Sequence, residues 1–268
     1  MRRWRVFLLI YFALAGLAHG QANLNAPRLF ELGMNALTGI GPGRDDMAAM
    51  ENFRRSADLA YPPAQVVLGY LYETGSIVAA QPGAAVEWYK KAAKQDDRVG
   101  DWLLGRMYFT GSGVARDLSL AQAALQKAAN QGDPFGQYLL GMVLLERNQY
   151  AQAGDWFRKA AVQGLPQAQQ QLGLLLKQGQ GVPLNKFDAY VWLLVSYDGG
   201  NQTATVASNL AALQADLGST QVEQAKFKAR DLEQTTNRVV VARGCTGWQG
   251  EFSAIPAPPP PDIQRFCR

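Results

Sequence analysis

The pair Leu-Gly recurs at Leu32-Gly33, Leu68-Gly69, Leu104-Gly105, Leu140-Gly141 and Leu172-Gly173, with glycine steps of 36, 36, 36 and 32 residues. A chain that repeats at this period cannot close a core within one unit, so it folds as a stack in which each unit buries its apolar face against the next. Other positions keep the same register. Alanine follows at Ala49, Ala85, Ala121, Ala153 and Ala189, and three residues later comes Trp88, Trp156 or Trp192, with Asn52 and Ala124 as degenerate cases. An Ala-Ala pair then appears at Ala92-Ala93, Ala128-Ala129 and Ala160-Ala161.

Within a unit the spacing is helical. Leu68, Gly69 and Tyr72 share one face, and Ala85, Trp88 and Ala92 repeat the pattern further on. Breakers separate the two stretches, at Thr74-Gly75, Thr110-Gly111-Ser112-Gly113 and Gly179-Gln180-Gly181-Val182-Pro183. Each unit therefore reads as helix, turn, helix. Asp133-Pro134 and Leu165-Pro166 place proline at a first helical position, and Asp117 is positioned as an N-cap. A glycine inside a helix costs about 1 kcal/mol relative to alanine, so a repeated one needs a repeated compensation. The expected compensation is a close crossing by the second helix and its small alanine, with rings filling the space left by Gly or Ala on a neighbour.

The segments WLLGRMYFTGSGVARDLSLAQAALQKAANQGD and AQQQLGLLLKQGQGVPLNKFDAYVWLL carry the pattern most fully. Over roughly 29–200 the chain resembles the Sel-one-like repeat (SLR) family, relatives of the tetratricopeptide solenoids. The resemblance implies an all-α fold, a right-handed α/α solenoid of about five helical hairpins at approximately 29–60, 61–96, 97–132, 133–164 and 165–200. The first unit is weak. The fourth has lost its Gly-x-Gly loop (ERNQYAQA). The repeats hold no cysteines, unlike those of the penicillin-binding cysteine-rich branch, which is not supported. After Gly200, Thr203–Leu217 and Thr220–Thr235 read as a more polar pair of helices, a C-terminal cap over 201–236. A Pro-rich tail, 237–268, follows, with the run Pro256–Pro261 as its spacer.

The first 22 residues read as a secretory signal peptide: three arginines within Met1–Arg5, the apolar run Val6–Ala18, then small residues, with a short linker at 23–28. That run is too short to span a bilayer, which takes ~20 apolar residues, so no membrane segment is expected after cleavage. Without a cysteine near the cleavage region there is nothing to lipidate. The mature chain is thus expected in the periplasm or beyond, where Cys245 and Cys267 read as one disulfide closing the tail, with a redox or metal site as the rival reading. Setting the leader's arginines aside leaves 23 basic residues against 22 acidic ones, which offers no electrostatic footprint for nucleic acid.

Catalysis finds little support. The single histidine, His19, leaves with the leader, so the mature chain has no Ser-His-Asp or Cys-His arrangement and no histidine-bound metal. Asp45-Asp46 and Asp96-Asp97 fall in turns, where capping is their ordinary role, and no phosphate loop is present. The expectation is a non-enzymatic protein without cofactor or metal.

In tetratricopeptide-like arrays the first helix of each unit lines the concave surface. By that resemblance, positions three before, one after and four after the Leu-Gly glycine should face a partner. Units two to four would then present Tyr70, Glu73, Trp102, Arg106, Phe109, Tyr138 and Met142 as a partly open groove, with Leu68, Tyr72, Leu104, Tyr108, Leu140 and Leu144 as core. The leading function is a periplasmic or secreted protein-interaction module, an adaptor, scaffold or immunity-type inhibitor holding a segment of another protein. The alternative is a polysaccharide or peptidoglycan binder stacking sugars on Tyr70, Trp102 and Tyr138. A cell-wall or β-lactamase-type enzyme comes last.

Overall fold

The computed structural model describes residues 25–39 and 43–243. The expected leader, the cysteines Cys245 and Cys267 expected to pair, and the proline run lie outside the described residues. Five antiparallel hairpins succeed one another: α1 (Ala26–Thr38) with α2 (Asp46–Asp58), α3 (Pro62–Thr74) with α4 (Pro82–Ala93), and α5 (Arg98–Thr110) with α6 (Leu118–Asn130). Then come α7 (Pro134–Glu146) with α8 (Tyr150–Val162), and α9 (Pro166–Gln178) with α10 (Lys186–Asp198). The last element, α11 (Ala204–Arg243), breaks at Gly218 (φ 75°, ψ 167°), between the two stretches expected as a cap. No strand occurs among the described residues.

Local chemistry sets these boundaries. Asp45, Asp97, Asp117 and Asp133 each accept a bond from a backbone N–H in the first turn that follows, and α3, α4, α7 and α9 begin with proline. The first helices of units two, three and five stop at Gly75, Gly111 and Gly179, each in the left-handed region. The second loop glycines have a further task. A Cβ on Gly113 would strike the backbone of Pro82, and one on Gly181 the backbone of Tyr150, at the start of the preceding unit's second helix. The Gly-x-Gly loop is therefore a contact between units, and unit four, with Asn148 at its turn, lacks it.

Helices pack chiefly against their sequence neighbours, but α3 also meets α5, and α5 meets α7. One apolar core runs from Leu37 to Ala229. The repeated glycine opens space for a large side chain rather than for the small alanine. Its missing Cβ would lie 2.6 Å from the Phe53 ring at Gly33, 2.6 Å from Tyr89 at Gly69, 2.5 Å from Leu125 at Gly105, 2.6 Å from Phe157 at Gly141 and 2.8 Å from Leu193 at Gly173. Close packing is thus the compensation for the glycine. Its partner is the ring or leucine one turn beyond the fully buried Ala49, Ala85, Ala121, Ala153 and Ala189.

Candidate partner-binding surface

The first helices of the units carry the seven residues expected to line a groove, and their exposure splits along the array. In units two and three the row is closed except at its last position, Phe109. Tyr70 is 1% exposed, Trp102 2% and Arg106 6%, so the expectation that Tyr70 and Trp102 stand open is corrected. The cause is the direct packing of successive first helices. Phe135 of α7 stacks on Trp102 at 5.3 Å between ring centres, 28° from parallel, and the Arg106 guanidinium lies 6.0 Å from the same ring. Buried this way, Tyr70 and Trp102 cannot stack on a sugar.

Arg106 and Glu73 face one another rather than solvent. Arg106 Nη2 donates to both Glu73 carboxylate oxygens at 2.6 Å, and the Tyr89 hydroxyl donates to Glu73 Oε2 at 2.8 Å. This clamp joins α3, α4 and α5. Burial, and next the charge on Glu73, hold the Tyr89 hydroxyl well above the usual phenol range, so it remains a proton donor.

In units four and five the same row is half-open. Tyr138, Met142 and Leu145 on α7 and Gln170, Leu174 and Lys177 on α9 are all partly exposed, as is Phe109 at the end of α5. Lys177 donates to Asn209 of α11 at 2.6 Å, which joins the row to the cap. The two halves differ in which flank of the first helix is covered. The position two after the glycine is buried in all four units, as Leu71, Met107, Val143 and Leu175. Its neighbours trade places: Tyr70 and Arg106 are buried while Tyr72 and Tyr108 are partly open, whereas Met142 and Leu174 are partly open while Leu144 and Leu176 are buried. Tyr72 and Tyr108 were expected in the core. Tyr72 instead accepts a bond from Arg54 at 2.8 Å.

A set of residues that the sequence reading missed lies at the junctions between units. Four residues before the glycine, Gln65, Gln137 and Gln169 donate to the carbonyls of Ala57, Ala129 and Ala161, at the end of the preceding unit's second helix. Gln65 accepts in turn from Gln95, and Gln137 from Gln163. Each relay thus ties three helices through side-chain amides. Unit three holds Asp101 at that position, 1% exposed, with a long 3.5 Å bond from Gln131 Nε2. Burial pushes its carboxyl up to about 6, and burial does the same to Asp133, the N-cap of α7. The regular spacing of Gln65, Gln137 and Gln169 before their glycines was the signal that could have found the relay.

Among the described residues, no group of three or more His, Cys, Asp or Glu is arranged to hold a metal, and no helix is long and apolar enough to cross a membrane.

Comparison with known proteins agrees with the geometry. The Sel1 repeat model matches at 29–61, 62–97, 100–133, 134–165 and 166–201. None of the curated proteins matches the sequence. The chain is similar to a crystal structure of a protective antigen present in uropathogenic Escherichia coli strains, with 26% identity and a TM-score of 0.62. That match covers 84% of this chain and 56% of the antigen, so the chain spans little more than half of that relative. A Sel1 repeat protein from Oxalobacter formigenes has the same fold, with 24% identity and a TM-score of 0.62 over 77% of this chain and 88% of the other. With five matched units covering well over half its length, the chain belongs to the Sel1 repeat family.

Proposed function

We propose that the protein is a non-enzymatic interaction module, an adaptor or inhibitor that holds a segment of another protein on the first-helix face of units four and five, beside the cap. The observation that carries this reading is the split in the row. Tyr138, Met142, Leu145 and Leu174 are apolar side chains left partly open, whereas in units two and three the Glu73–Arg106 clamp and the Trp102–Phe135 stack close the row as far as Phe109, its last position. Partly buried apolar side chains on a rigid scaffold are the groups from which an interface anchor is built. The order of residues in 1–22 supports export, and the reading then includes a Cys245–Cys267 disulfide in an oxidising compartment.

The test is a photo-crosslinker, Met142→p-benzoylphenylalanine or Leu174→p-benzoylphenylalanine, with Glu87→p-benzoylphenylalanine on exposed α4 as control. The expected result is one protein captured at Met142 and Leu174 but not at Glu87, with capture from Leu174 lost when Met142→Asp is added in a protein that keeps its melting temperature. Equal capture at all three sites would overturn the assignment.

A further inference from the structure

The half-open stretch of the inner row has three levels on two successive first helices. Tyr138 and Gln170 stand three before the glycine, Met142 and Leu174 one after it, and Leu145 and Lys177 four after it. The strip lies between helices that are set apart, since α7 meets α9 much less than it meets α5. Its polar groups sit at the two ends. Gln170 accepts from Asn201 at 2.7 Å, and Lys177 donates to Asn209 at 2.6 Å, so both side chains are already held in place. The backbone groups along α7 and α9 are bonded within their own helices. The middle of the strip therefore offers an occupant apolar side chains and no hydrogen-bonding group.

We propose that this strip takes an amphipathic α-helix of the partner, with apolar side chains on Met142, Leu145 and Leu174 and a carboxylate against Lys177; the proposal rests on reading the row as a binding face. An extended segment brings one N–H and one C=O per residue and would lay most of them over apolar side chains, where a polar group without a partner is costly. A helix satisfies those groups internally and presents side chains alone. The spacing agrees. Levels four and three residues apart cover about 10 Å at 1.5 Å per residue, so two turns of a partner helix bring residues i, i+4 and i+7 to them. Charge sets the rest of the chemistry. In units two and three the charges of the row, Glu73 and Arg106, cancel one another in the clamp. In units four and five Lys177 is the one charged residue of the row, and its bond is to a neutral amide. Asp216 lies within its field but accepts from Lys186 at 2.8 Å, and Arg116 and Glu146, beside Phe109, pair with each other. A carboxylate on the occupant would thus meet a cation that no carboxylate bonds among the described residues.

The test pans the purified protein against two displayed libraries, one randomised along the face of a helical scaffold and one of linear peptides, and keeps the binders that are lost with Met142→Asp. The expected result is that these come from the helical library, with apolar residues at i, i+4 and i+7 and an Asp or Glu beside them. Lys177→Gln keeps a donor for Asn209 without the charge, and it should weaken such binders by about fivefold, the scale of one ion pair. Removing the binder's own carboxylate should then add no further loss. Row-dependent binders that come from the linear library, with apolar residues at every second position, would overturn the helix and leave the binding face in place. Helical binders indifferent to Lys177→Gln would overturn the charge assignment. A protein whose binders, from either library, are all indifferent to Met142→Asp would overturn both the helix and the row on which it rests.

Discussion

Arg106 brings Nη2 to within 2.6 Å of both oxygens of Glu73, a residue 33 positions earlier, and both side chains are about nine-tenths buried. A buried pair of this kind contributes little net stability against an apolar pair of the same shape, but removing one of its two charges is costly. Glu73→Gln should therefore cost about 3–5 kcal/mol, and Glu73→Met/Arg106→Met should recover most of that loss. Tyr89→Phe removes only one donor to Glu73 and should cost about 1 kcal/mol. Urea unfolding of the variants measures all three, and a double variant no more stable than Glu73→Gln would contradict the clamp.

The Gly69–Tyr89 approach makes a second prediction with a built-in control. Alanine is the better helix former by about 1 kcal/mol, yet its Cβ would lie 2.6 Å from the Tyr89 ring. Gly69→Ala should lower stability by about 1–3 kcal/mol through overpacking. The loss should shrink when Tyr89 is also replaced by Leu, because the ring is what the methyl meets. Additive losses in the double-mutant cycle would mean that the glycine is retained for another reason.

Trp102→Ala belongs with the core substitutions. Stacked on Phe135 and 2% exposed, the indole should cost about 3–5 kcal/mol on removal. Met142→Ala, on the half-open stretch, should cost less than half of that. Thermal unfolding of the two variants checks the order, and a mild Trp102→Ala would return the ring to the exposed row.

The repeat was legible because its signals are local and recur: Leu-Gly, the Gly-x-Gly loop, Asp and Pro at helix starts. Which inner-row residues stay open was not legible. It depends on which flank of the first helix its neighbours cover: Tyr70 rather than Tyr72 in unit two, and Leu144 rather than Met142 in unit four. Spacing alone cannot show that Phe135 from the next unit will cover Trp102, since the contact depends on how α5 and α7 approach each other. The glutamine relay was visible as a spacing, but polar residues at helical spacing ordinarily mark a solvated face, and only burial gives these a role.

Asp133 sets a measurable pH dependence. Its carboxyl is raised from 3.8 to about 6, chiefly by burial, so the folded chain holds a proton that the unfolded chain has already lost. The stability this provides is complete below pH 3.8, is lost as pH rises towards 6, and does not change further above it. The loss is as much as about 3 kcal/mol, at 1.36 kcal/mol per unit. Asparagine keeps the cap on Gly136 without the charge, so Asp133→Asn should make the profile shallower between these limits, leaving the slope that Asp101 contributes. Denaturation midpoints of both proteins at pH 4, 5, 6 and 7 test the sign, and parallel profiles would refute it.

The relay predicts an order among its own members. Gln137 both donates to the Ala129 carbonyl and accepts from Gln163, so Gln137→Leu breaks two bonds: the Ala129 carbonyl keeps the Gly132 N–H at 3.0 Å, and the Gln163 amide loses its acceptor. Gln169 donates to the Ala161 carbonyl, but its Oε1 is buried with no hydrogen-bond partner, because Gly199 stands where the donors Gln95 and Gln163 stand in their units. Gln169→Leu breaks one bond and removes an orphaned acceptor. Gln137→Leu should therefore be the more costly by about 1 kcal/mol, the net contribution of one further hydrogen bond. Equal losses in urea unfolding would mean that the amides act as spacers, and that the hydrogen bonds across the junctions contribute little.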